Sequence, residues 1–482
     1  MYQDDKQQSV FQDPRFFQGA KLNPNNRWVI AGSLIPWDKV EEKYKKSFSK
    51  KNGRPAKPVR MAIGSYLIKE KYDLSDVETV EMIKENPYLQ FFLGLPAFED
   101  KAPFEASMMT WFRKRITPEM IVEVNEYLVQ NARKKNDNSG KGSGGNSKEN
   151  TGEERDSEEE QDNKGTMIVD ATCIPSDIRF PTDVSLISEA REKAEGIIDE
   201  LHKRTNSGEK KPRTYRRVAR TEYLRFARNR KPSKEAIRKI TKKQLSYLRR
   251  DLKYIKNIGK EWLTEKESTL LTTLETLYEQ QREMHESRSH QIPNRIVSIH
   301  SPWVRPIVRG KANAMVEFGA KVAISVVDGF SFVEKTSWNA YNESNTLKET
   351  LEKYRQREGC YPKRVLADKI YRTRENRNFC KLHGIKMSGP KLGRPPKDKK
   401  VYREQCLMEK AEAGERNTVE GVFGTGKRSY SMNQLTSHRK DSCEAEIYML
   451  FLSLNLWKAV KVFHVHLFRW LFGMSNAMHT AR

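Results

Sequence analysis

Residues 166–174 read TMIVDATCI, a short apolar, β-branched run in which Asp170 ends the segment MIVD. Downstream the same chemistry returns. KVAISVVDGFSFVEKTSW (321–338) holds two alternating runs around Asp328-Gly329, the strongest short hairpin signal. ESNTLKETLEKYRQREG (343–359) has helical character and ends at a glycine. KRVLADKIY (363–371) reads as a strand, TRENRNFCKLHG as a helix, IKMSG as a strand and residues 403–428 as a helix. This order predicts an α/β fold, a mixed sheet with helices packed against it.

Upstream of 166 the composition changes. Residues 134–166 are Gly, Ser, Asn and charge with almost nothing apolar, which cannot offset the entropy of ordering, so they read as a disordered linker. The module before it, 1–133, reads as short helices. PVRMAIGSYLIKEKY places Met61, Ile63, Tyr66, Leu67 and Tyr72 at helical spacing. A capping box at Ser75–Glu78 opens a second helix, which Asn86-Pro87 stops. A third starts near Ser107 and carries Arg113, Lys114 and Arg115, the pattern of a helix-turn-helix-like DNA binder. With no docking residues in the linker, the parts on either side are expected to fold independently.

The chain has 482 residues, 89 Lys+Arg against 64 Asp+Glu, and a net charge of +25, which predicts a polyanionic partner. Segment 201–260 holds 22 Lys/Arg and four acids, an excess of +18. It lies in a helical stretch, about 186–290, where Ile237, Ile240, Leu245, Leu248, Leu252 and Ile255 form an apolar stripe. A two-helix hairpin broken at Gly259, with one apolar seam and one basic face, is expected. Arg216, Arg217, Arg220, Arg249 and Arg250 are the candidate phosphate contacts. Arg394, in GRPPK (393–397), is a candidate for the minor groove.

Five cysteines without a Cys-x-x-Cys pair predict neither a zinc site nor a disulfide framework, and fit a reduced compartment. MYQDDKQQSVFQD has no apolar core and does not read as a signal peptide. IYMLFLSLNLWKAVKVFHVHLFRWLF (447–472) is interrupted by Asn455, Lys458, Lys461 and Arg469, so a buried amphipathic helix is expected rather than a membrane span.

Asp170 and Asp368 end strands, and Glu420 lies on the helix after the last strand. Strand ends meet at the crevice of an α/β sheet, and a helix docked above adds a third acid. Clustered carboxylates repel unless a hard cation joins them. Oxygen-only ligands select Mg²⁺ or Mn²⁺, and two such ions would serve an in-line phosphoryl displacement.

With these residues in place, 166–460 resembles the catalytic core of DDE-type insertion-sequence transposases. Arg416, Glu420 and Lys427 match the pattern Tyr-x2-Arg-x3-Glu-x6-Lys, with Ala413 at the tyrosine position. Asp170 and Thr172 match Asp-x-Thr. Ala367, Asp368, Lys369 and Tyr371 match Ala-Asp-Lys-x-Tyr, with Ile370 where glycine is common. GRPAKPVRMAI, NPYLQFFLGLP and FRKRI, within 50–115, resemble the helical domain often fused to such cores. RIVSIHSPWVRPIVRGKANAMVEFGAK (295–321) resembles the branch with a basic helical insertion.

The resemblance implies an RNase-H-like core at 167–440, a DNA-binding domain at 1–133 and a C-terminal helix at 441–482. It implies Asp170, Asp368 and Glu420 as catalytic metal ligands, with Arg416 and Lys427 on DNA phosphates. It implies an enzyme that cuts duplex DNA at the terminal inverted repeats of its element and joins the 3′ ends to target DNA. A homodimeric synaptic complex in a bacterial cytoplasm, at the nucleoid, is expected, with no membrane partner. The rivals are a nuclease without strand transfer and a transposase-derived regulator without chemistry.

Overall fold

The computed structural model describes residues 14, 17–48, 55–140, 162–205, 210–311, 314–390 and 398–471. Its centre is β1 (Thr166–Pro175), whose residues 167–169 and 171–174 are all buried. β1 is antiparallel to β3 (Ala314–Val327), from Met167–Val327 to Pro175–Gly319. Its other edge is parallel to β5 (Arg364–Leu366), which continues in parallel to β6 (Lys386–Met387). β4 (Phe330–Ser337) folds back on β3 through Asp328-Gly329, both at positive φ (53° and 75°), as a two-residue hairpin turn requires. The expected mixed sheet and hairpin are therefore present. A further strand, β2 (Arg305–Lys311), also pairs with β3, and its Pro- and Arg-rich sequence had not read as a strand.

Two strand boundaries differ from expectation. β1 continues five residues past Asp170, so that acid lies mid-strand. β5 stops at Leu366, because the Ala367 N–H turns to donate to Ser388 Oγ at 3.1 Å and Asp368 caps the turn Lys369–Tyr371.

The N-terminal module is helical: α1 (Arg27–Leu34), α2 (Trp37–Lys45), α3 (Val59–Tyr72), α4 (Asp76–Glu85), α5 (Pro87–Phe92), α6 (Ser107–Arg115) and α7 (Pro118–Gly140). The Ser75–Glu78 capping box forms, and α4 stops before Pro87. α7 runs through 134–140, so the first residues assigned to the linker are helical. Residues 141–161 lie outside the described residues.

After β1 come α8 (Asp183–Thr205), α9 (Arg216–Ala227), α10 (Lys234–Ile258) and α11 (Glu265–Ser287). Gly259 ends α10, as expected. The two-helix hairpin is an underestimate, because α8 packs on both α10 and α11 around a separate apolar cluster containing Ile187, Ile198, Leu248 and Leu274. α12 (Leu347–Glu358), α13 (Arg374–Leu382), α14 (Lys399–Arg416), α15 (Thr418–Ser429) and α16 (Lys440–Leu471) complete the chain.

α16 is buried, as expected, but on nearly all sides from Ala445 to Val460 rather than on one face, between the sheet and the N-terminal helices. Trp457 meets Trp28 edge-on at 4.7 Å. Asn455 accepts from the Ser331 N–H at 2.9 Å and donates to Asn125 Oδ1 at 2.7 Å, tying α16, β4 and α7 together. One apolar cluster thus spans the N-terminal helices and the sheet, and the expected independent folding of the two parts is not what the packing shows. The linker's composition could not reveal this, because the docking residues lie hundreds of positions away. None of the described helices is long and apolar enough to cross a membrane.

Two measurements follow from this packing. Trp457→Ala should destabilise the chain by about 3–5 kcal/mol, and it should melt the N-terminal helices and the sheet in one transition by circular dichroism. Asp251 of α10 is fully buried with neither carboxylate oxygen hydrogen-bonded. Burial, then the charge of Glu195, pushes its carboxyl up to about 8. A folded-state value above the unfolded one means stability is lost as pH rises from about 4 to about 8. Asp251→Asn should therefore raise the melting temperature at pH 8 by roughly 3 °C and raise it less at pH 5.

Candidate active site and nucleic-acid interface

The β1–β5 register sets the site. The register ends at Ile168–Leu366; Asp170 lies two residues further along β1 and Asp368 in the turn that follows β5, near enough for the charge of Asp368 to act on Asp170. Asp170 is half-buried, and its Oδ1 accepts from the Ala171 N–H at 2.8 Å. Burial raises its carboxyl above the ordinary range. The Ala171 N–H and Arg416 oppose this, while the charges of Glu343 and Asp368 add to it. Asp368 is exposed and accepts from the Lys369 N–H at 2.7 Å.

Arg416 ends α14, which docks on the β5–β6 edge through Arg364–Glu415 at 3.0 Å and Lys386–Glu412 at 2.8 Å. The expected long helix breaks only at Asn417 and resumes as α15, with Val419 in the core and Glu420 exposed. Glu420 is one turn beyond Arg416 on a similar side. α15 passes intact through Gly421, Gly424 and Gly426 to Lys427. An added Cβ at Gly426 would come within 2.6 Å of the Met432 terminal methyl, so the flexible end of that side chain would have to shift.

The structure brings Asp170 and Asp368 together and places Arg416 where its charge reaches Asp170. Glu420 does not join the pair: among the described residues no three Asp, Glu, His or Cys side chains are gathered closely enough to hold a metal ion. By its donors, the carboxylate pair fits a hard divalent cation.

Sequence reasoning missed Glu343, which starts the 3₁₀ turn Glu343–Thr346 capped by Asn342. Only an acid in the first turn of a predicted helix was visible there, and nothing local tied it to β1.

Comparison with known proteins gives the context. Residues 17–115 match a family described as "Transposase domain (DUF772)", and residues 365–457 match "Transposase DDE domain". A protein of Rhizobium meliloti, "Uncharacterized protein ORF8 in nfe locus", is 36% identical over 171 residues, covering 36% of this chain and 72% of that one. The chain belongs to the DDE-type insertion-sequence transposases. No solved structure matches it.

The transposase's basic side chains divide by environment. Arg113 is a bidentate partner of Asp76, at 3.0 and 2.5 Å, which clamps α6 to α4. Arg115 stacks on Phe48 at 4.2 Å, whereas Lys114 is exposed beside the exposed Trp111. Arg216 is likewise engaged, with Asp199 at 2.9 and 2.7 Å, and its hydrogen bonds pull Asp199 down to about 2. Arg250 stacks on Tyr215 at 4.7 Å and is half-buried. Arg217, Arg220 and Arg249 are exposed, as are Arg225, Arg228, Lys239 and Lys242 of the same insertion. Arg394 lies outside the described residues.

Neutralising Arg217, Arg220 and Arg249 together should flatten the slope of log affinity against log salt by about 0.9 per lost phosphate contact. Arg216→Ala should leave that slope nearly unchanged and lower the melting temperature instead.

Proposed function

We propose that this transposase cuts duplex DNA at the ends of its element and joins the released 3′ ends to target DNA. Asp170, Asp368 and Glu420 are the acids of the reaction. The observation that supports this reading is the nearness of Asp170, mid-strand on β1, to Asp368, at the turn ending the adjacent parallel strand β5, with the charge of Arg416 from the end of α14 reaching Asp170. The strand order β4-β3-β1-β5-β6, with the first two pairings antiparallel and the last two parallel, supports an RNase-H-like core.

Asp170, Asp368 and Glu420 would hold divalent magnesium or manganese, which when bound supplies charge stabilisation at the scissile phosphate and a more acidic nucleophile. The chain's own groups do the rest. Asp170 is fixed within a hydrogen-bonded strand and Asp368 at a capped turn, so neither must be ordered when DNA arrives. Glu420, on an exposed helical turn, closes on the pair from the α15 side. Arg416 offsets the carboxylates' charge and, with Lys427, is placed to hold phosphates of the bound strand. The exposed cations of the helical insertion add sequence-independent affinity, and Lys114 with Trp111 offers a contact in the N-terminal module. Water and then a 3′-hydroxyl act as nucleophiles, so no side chain becomes covalently attached to DNA. A second copy of the chain would bring two ends together.

Asp170→Ala, Asp368→Ala and Glu420→Ala should each lower cleavage of end-containing DNA in magnesium by at least ~10³-fold while changing DNA affinity less than about twofold. Normal cleavage by any one variant removes that residue from the site. Cleavage by the wild-type chain without joined products assigns it to a nuclease instead.

A further inference from the structure

The turn bearing Glu343 and the turn capped by Asp368 are fastened to each other. Asn376 of α13 is buried, at 3% exposure, and its Nδ2 donates both to Ser344 O and to Tyr371 O, each at 2.8 Å. Both hydrogens of one amide are thus spent on joining these two turns. From the sheet, Lys321 of β3 reaches Glu343 Oε1 at 2.8 Å and the Tyr341 carbonyl at 2.9 Å. Lys321 pairs in register with Cys173, three residues past Asp170 on β1. The Glu343 carboxylate is four-fifths shielded from solvent, and the Lys321 side chain is more shielded still. An ion pair this enclosed is neither a solvated surface contact nor a requirement of packing.

We infer that Glu343 is a positioning acid of the active site, held by Asn376 and Lys321 so that its charge strengthens the hold of Asp170 and Asp368 on a divalent cation. The inference rests on the reading of Asp170 and Asp368 given above. Lys321 is the resting counter-ion of Glu343, and its positive charge opposes the uptake of a cation nearby. Asn376 fixes how far Glu343 stands from the Asp368 turn. The negative charge of Glu343 also acts on Asp170 and on the buried Tyr371 phenol. Partners that orient ligands in this way change metal affinity without touching substrate.

The two charged partners give opposite expectations. Terbium(III), a hard cation that prefers oxygen, can be titrated into the full-length chain and followed by luminescence sensitised through nearby tyrosines such as Tyr341 and Tyr371. Glu343→Gln should raise the half-saturating concentration about tenfold. Asn376→Ala should raise it less, and Lys321→Met should lower it. Asp170→Asn serves as the control and should abolish saturable binding. If Asp170→Asn abolishes binding and Glu343→Gln titrates like the wild type, the role of Glu343 is overturned. Weakening by both Glu343→Gln and Lys321→Met also overturns it, because a merely loosened turn weakens binding whichever charge is removed. If Asp170→Asn leaves binding intact, the assignment of the site fails rather than this inference.

Discussion

The candidate site depends on two carboxylates held near each other, one mid-strand on β1 and one capping the turn where the adjacent parallel strand β5 ends. At a separation of ~5 Å and an effective dielectric near 20, two unit charges repel by on the order of 3 kcal/mol. That exceeds the ~1 kcal/mol or less that an exposed ion pair returns. The fold must hold the pair in place against this repulsion, and it does so with backbone. Asp170 is in the middle of a strand hydrogen-bonded on both edges, and Asp368 caps a turn that begins where β5 stops. Arg416 and Lys321 supply positive charge from opposite sides of the crevice, from α14 and β3 respectively. A site built this way is poised to take up a cation and has no reason to collapse around itself.

The helices extend this economy. α14 is anchored to the sheet edge by Glu412 and Glu415, so the start of α15, with Glu420, is carried on a docked support although its own side chain stands in solvent. α16 lies on the other side, sharing one apolar cluster with the N-terminal helices. Buried tryptophans and the Asn455–Asn125–Ser331 network join the N-terminal helices and the sheet in one packed core. The helical insertion differs: its own apolar cluster lets it stand as a basic arm, with much of its positive charge facing outward.

The sequence by itself determined a good deal. Alternation around Asp328-Gly329 specified the hairpin, because two-residue turns with positive φ demand such residues. Ser75 and Glu78 specified the start of α4, and Gly259 the end of α10. The acids of the family pattern were found at their spacings, and one-sided charge marked the insertion as basic. These are local signals, written in a few consecutive residues.

Only the tertiary structure decided which charges remain available and which parts belong together. Arg113 and Arg216 resemble Arg217 and Arg220 in sequence. Asp76 and Asp199 engage the first pair in salt bridges, each of which joins residues that the chain separates. Glu343 resembles any acid opening a helix until Asn376 and Lys321 fasten it beside the Asp368 turn. The apolar run of α16 fits a one-sided helix as well as a fully enclosed one, and the N-terminal module supplies the second wall. In each case a side chain's role depends on a partner tens to hundreds of residues away, and periodicity and propensity carry no information about such pairs.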